Sequence, residues 1–87
     1  MVKVNVTVES PSGTQKENVK AIMVGDARWG ENGAAYNTSK QVESGTRTVT
    51  VTKTTHPKEI KKDHLIPEHD STLKIEVKDT EIVITQV

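Results

Sequence analysis

The chain has 87 residues, of which 32% are apolar; Phe and Cys are absent, and 12 basic side chains balance 12 acidic ones. A formal net charge of zero argues against the basic excess of a dedicated nucleic-acid binder or a polybasic membrane anchor, and the missing cysteine excludes disulfides, thiolate nucleophiles and Cys-ligated zinc. One small domain spanning residues 1–87 is expected, with a thin aliphatic core in place of the usual aromatic area and a corresponding tendency to self-associate or keep a partner.

Met1-Val2-Lys3-Val4 lacks the apolar run of a signal peptide, and no stretch approaches a membrane span in length. A soluble, cytoplasmic protein is the expectation. Val2, Val4, Val6 and Val8 alternate with polar residues, which predicts a half-buried strand. Ser10-Pro11-Ser12-Gly13-Thr14 punctuates as a loop. Glu17 to Val24 reads as a second strand, with Val19, Ala21 and Met23 on one face and Ile22 and Val24 on the other, so both faces are expected to be covered.

Gly25 to Tyr36 follows, the stretch richest in unusual residues. It holds the only Trp, the only Tyr and three of the five glycines. Asn37 to Ser44 reads equally as a short helix or as an irregular edge segment, closed by Gly45. Thr46 to Lys53 predicts a strand with Val49 and Val51 inward; its Thr, Arg and Lys suit an exposed or edge position. Pro57 at a first helical position predicts a short helix over Lys58 to Leu65, stopped by Pro67. Ser71 to Lys78 and Thr80 to Val87 are two further strands, joined by a tight hairpin at Lys78-Asp79. The fold class is therefore mainly β: a small antiparallel β-sandwich or half-open barrel of about five strands with one short helix. A β-grasp-like α+β arrangement is the alternative, and it requires residues 34–44 to be a helix packed across the sheet.

Chemistry is sparse. His56, His64 and His69 sit among Glu59, Asp63, Glu68 and Asp70, a ligand set suited to zinc. The spacing of His64 and His69 matches half of a zinc site, but the opposing cysteine pair is missing and Pro67 keeps the two off one helical face. A solvated, charge-balanced connection is the plainer reading, and neither metal nor cofactor is expected. No Gly-x-Ser-x-Gly elbow and no Gly-Lys-Ser/Thr phosphate loop occurs. A catalytic pocket is not expected in so thin a core. Lys53, Lys58, Lys61 and Lys62 are interleaved with acids and lack an aromatic neighbour for base stacking. The triplets Asn5-Val6-Thr7 and Asn37-Thr38-Ser39 match the N-glycosylation pattern without a secretory signal, and are read as chance.

Trp, Tyr and Arg are the side chains that most often carry interface energy. Arg28, Trp29, Glu31, Asn32 and Tyr36 are thus the candidate protein-binding residues, on a loop that glycines would let turn sharply. The competing role for Trp29 is a core plug at one end of the sheet, with Tyr36 beside it. The run Glu43-Ser44-Gly45-Thr46-Arg47-Thr48-Val49-Thr50-Val51-Thr52-Lys53 resembles the glycine-then-Thr/Val strand of small surface β-sandwich modules such as the PEGA and carboxypeptidase-regulatory-like domains. Where those modules place a Gly-aromatic pair, Thr54-Thr55-His56-Pro57 stands, so the likeness supports a sandwich and assigns no family. The expected function is non-enzymatic binding of another protein, as an inhibitor, adaptor or accessory subunit of the kind common among phage-encoded factors. A self-assembling structural β-module is the alternative, and a His-based metal- or small-ligand-binding domain is a third.

Overall fold

The computed structural model describes residues 1–9, 18–55, 57–78 and 80–87. Eight strands follow in order: β1 Val2–Glu9, β2 Val19–Val24, β3 Ala27–Gly30, β4 Ser39–Val42, β5 Gly45–Lys53, β6 Glu59–Ile66, β7 Ser71–Val77 and β8 Ile82–Gln86. They form two four-stranded sheets, ordered β4-β1-β7-β8 and β3-β2-β5-β6. All pairings are antiparallel except β1 with β7. The architecture is a β-sandwich.

Period-two patterning explains the layers. Val4, Val6 and Val8 of β1 and Leu73, Ile75 and Val77 of β7 are buried on one inner face. Ile22 and Val24 of β2 and Val49 and Val51 of β5 are buried on the other, and one core cluster joins both sheets. The outer faces carry the intervening polar residues; on β5 these are Thr46, Thr48, Thr50 and Thr52, the partners of Leu65, Asp63, Lys61 and Glu59 on β6. Alternation of this kind is what a sheet solvated on one side requires.

Several expectations need correction. There are eight strands, not about five, and the described residues contain no α-helix. Residues 58–65, expected as a helix, are mostly strand β6, which pairs with β5 along its length. Ile60 and Ile66 lie on its inward positions, but Lys62 and His64 occupy the two between them, so the alternation is hidden. Residues 34–44 form an irregular connection and then β4, which removes the helix that a β-grasp arrangement needs. β5 is an inner strand flanked by β2 and β6, not an edge; its threonines mark a solvated face. In β2 the register shifts between Val19 and Ala21, a bulge. Val19 and Ala21 therefore do not share a face as simple alternation implied, and Ala21 is fully buried. The β7–β8 connection is tight but placed one residue later than expected: Val77 pairs with Ile82, and Lys78 N donates to the Glu81 carbonyl, while Asp79 lies outside the described residues. The loop expected at Ser10–Thr14 lies outside the described residues. No helix among the described residues is long and apolar enough to cross a membrane.

Candidate functional site

The glycine-rich stretch is ordered by its own backbone. β2 and β3 form a hairpin with Val24 opposite Ala27, and Gly25 takes a left-handed φ of 57° at the first turn position, as a type II′ turn requires. β3 then runs into a tight turn over Gly30–Gly33. Gly33 N donates to the Gly30 carbonyl, Gly30 N to the Ala34 carbonyl, and Ala34 N to the Arg28 carbonyl. Glu31 N reaches back to the Lys20 carbonyl on β2. Asn32, with φ 61°, supplies the left-handed residue of the turn, a conformation that Asn tolerates better than most side chains.

Side chains lock the same turn. Arg28 Nε donates to the Glu31 carbonyl at 2.6 Å, and its Nη1 lies 3.9 Å from Met23 Sδ. Trp29 is fully buried and its Nε1 donates to the Thr38 carbonyl at 2.6 Å. Of the two roles that competed for Trp29, the core plug is the one observed. Its inward position follows from register: Trp29 pairs with Ile22, an inner-face residue. Tyr36 is half-buried and packs against the core. Its hydroxyl has no hydrogen-bond partner among the described residues. Burial pushes its phenol above the ordinary value, with the Arg28 guanidinium pulling the other way.

The five candidate residues therefore divide. Arg28, Trp29 and Tyr36 build the turn from within or along its flank, whereas Glu31 and Asn32 are exposed at its tip. Glu31 makes a loose surface ion pair with Lys20 at 3.6 Å. Sequence reasoning missed the anchors Met23, Lys20 and Thr38. The first two come from a neighbouring strand, and Thr38 acts only through its backbone, so none leaves a mark in the local sequence.

The histidines do not converge. His64 lies on β6, its Nε2 3.0 Å from Gln86 Oε1, and His69 Nδ1 is engaged by the Asp70 carbonyl. His56 lies outside the described residues. Among the described residues no three His, Asp or Glu side chains form a metal-holding group. Among the described residues, other polar groups meet in shallow depressions. One, of about 290 Å³, is lined by Asp26, Lys40, Glu43 and Arg47 among others. Another, of about 260 Å³, includes Asn5 and Ser71, whose Oδ1 and Oγ have no partner among the described residues; buried groups of this kind are ordinarily met by water. Compared with protein-family models, with curated proteins and with solved structures, the chain has no significant match in any of the three.

Proposed function

We propose that the chain is a non-catalytic module that acts by binding another protein, and that the turn Gly30–Gly33 is the element that meets it. One observation carries this reading: an exposed tip, Glu31 and Asn32, is held by backbone hydrogen bonds from β2, β3 and Ala34 and by the Arg28 guanidinium. A loop already fixed in one conformation loses little entropy when a partner docks, so a small polar tip can hold a partner that a mobile loop could not. Trp29 contributes as the plug that anchors the tip, not as a contact residue. The interior supports a binding role as well, because apart from the buried Lys53 it is given over to Trp29 and aliphatic packing, while the other described ionisable side chains are at least partly exposed.

The test is a comparison of affinity captures from the source cell, read by mass spectrometry. Glu31→Ala with Asn32→Gly strips both side chains and keeps a residue that accepts the left-handed φ. A protein retained by the wild-type chain should be lost with this variant while thermal stability stays within a few degrees. A capture profile identical for the two proteins would remove the turn from the reading.

A further inference from the structure

The two long sides of the sandwich differ. On one, β3 and β4 are only four residues each and are tied across the layers by the Trp29–Thr38 hydrogen bond. On the other, β6 and β8 are eight and five residues long, and among the described residues a side-chain hydrogen bond from His64 to Gln86 joins them. Away from that contact the side opens into a cleft of about 260 Å³, lined by Ile60, Lys61, Lys62, Thr80, Glu81 and Ile82.

An edge strand presents a row of unpaired N–H and C=O groups, whose natural complement is another extended backbone. β6 is defended against such pairing by Lys61, Lys62 and Asp63, with Lys62 at an inward position. β8 is not. Ile82-Val83-Ile84-Thr85-Gln86 carries no charge, no Pro and no Gly, and four of its five residues are β-branched. That is the composition that accepts strand addition most readily. Charge marks the same place. Lys61 and Lys62 are exposed at the cleft and make no ion pair among the described residues, whereas Glu81 is taken up by Lys78 at 3.7 Å.

We propose that β8 is a strand-addition site for an extended, acid-bearing segment of a partner protein. The segment's backbone pairs with Ile82–Gln86, its alternate apolar side chains lie beside Ile84 and enter the cleft over Ile60 and Ile82, and its carboxylates meet Lys61 and Lys62. A second copy of this chain fits less well. Antiparallel β8–β8 pairing centred on Ile84 sets uncharged Gln86 opposite Ile82, so no carboxylate side chain answers the lysines. The site is separate from the turn at residues 30–33, and either can fail without the other.

The probe is a fluorescein-labelled peptide of alternating valine and threonine with glutamates at both ends. Its controls are the same peptide with lysines at the ends and a fully N-methylated form that cannot pair. Fluorescence anisotropy should show saturable binding of the acidic peptide, about tenfold weaker binding of the basic one because exposed ion pairs are individually modest, and none of the N-methylated form. Amide exchange at 82–86 should slow on binding, and Lys61→Glu with Lys62→Glu should invert the peptide preference. Three results would overturn the proposal. One is no binding, or equal binding of acidic and basic peptides; another is protection of β6 in place of β8. The last is concentration-dependent dimerisation that protects β8 without peptide, which would make a second copy the occupant.

Discussion

The indole Nε1 of Trp29 donates to the main-chain carbonyl of Thr38 at 2.6 Å, and the two residues serve different sheets. Trp29 sits in β3, while Thr38 immediately precedes β4. One side chain therefore fills the core and fastens the layers together where both edge strands are short. Trp29→Phe keeps most of the volume but removes the donor, at an expected cost of about 1–3 kcal/mol. For a domain of this size that lowers the melting temperature by roughly 4–8 °C per kcal/mol, readable by circular dichroism. Trp29→Ala should cost about 3–5 kcal/mol and leave little folded protein at 37 °C. The wild-type emission should be blue-shifted relative to free indole; emission at the position of exposed indole would contradict the plug.

The glycines of the turn are not equivalent. A Cβ on Gly30, whose φ is +93°, would lie 2.6 Å from the Tyr36 hydroxyl and 2.7 Å from the Lys20 carbonyl oxygen. On Gly33 it would lie 2.5 Å from the Arg28 carbonyl oxygen. Gly45 also has a positive φ, +98°, but open space around it, with Arg47 Nη2 at 3.8 Å as the nearest atom. Gly45→Ala should cost only the backbone strain, about 1–3 kcal/mol. Gly30→Ala adds a steric clash with main chain to that strain and should cost more. Gly33→Ala must displace the Arg28 carbonyl and should lower the urea midpoint even though its φ is ordinary. Equal midpoints for the Gly30 and Gly45 variants would show that the turn can relax.

The sandwich was legible wherever one face is clean. β1 and β7 alternate without interruption and fall where the pattern puts them. β6 was misread because its two central inward positions hold Lys62 and His64, the very feature that guards an edge strand. β3 was hidden inside the glycine-rich stretch because four residues are too few to establish a period. The candidate site was half legible: the residues that meet at the turn were named, but which of them faced outward depended on Trp29 pairing with Ile22, a relation that no local pattern encodes. The uncharged edge of β8 could be read from composition once its place at the edge was known.

Tyr36 gives a stability change with a defined pH window. Its hydroxyl lacks a partner among the described residues, and burial raises its folded-state pKa above the ordinary value. The unfolded chain therefore releases this proton first, near pH 10. Stability is unaffected below that pH and falls as pH rises from there toward the raised folded pKa. Tyr36→Phe removes a desolvated hydroxyl with no bond to lose, so near neutral pH it should be neutral or mildly stabilising, within about 1 kcal/mol. Its denaturation midpoint should also fall less between pH 9 and 11 than that of the wild type. A destabilised variant with unchanged alkaline behaviour would mean that the hydroxyl makes a bond through water.

Arg47 braces the crossover from β4 to β5. Its Nη2 donates to the Ser44 carbonyl at 3.0 Å and lies 3.2 Å from Glu43 Oε2, while Nε reaches the Glu43 carbonyl at 3.4 Å. The carboxylate contact is exposed and screened, so Glu43→Gln should cost under about 0.5 kcal/mol and nothing measurable in 1 M salt, where the screening length is about 3 Å. The carbonyl contacts are short-ranged and survive salt. Arg47→Ala should therefore cost about 1 kcal/mol, most of it persisting at high salt. Arg47→Lys restores a charge but not a planar fork able to reach two carbonyls at once, so it should recover little. If Arg47→Lys matched the wild type in urea at both salt concentrations, charge alone would account for the brace and the fork geometry would be incidental.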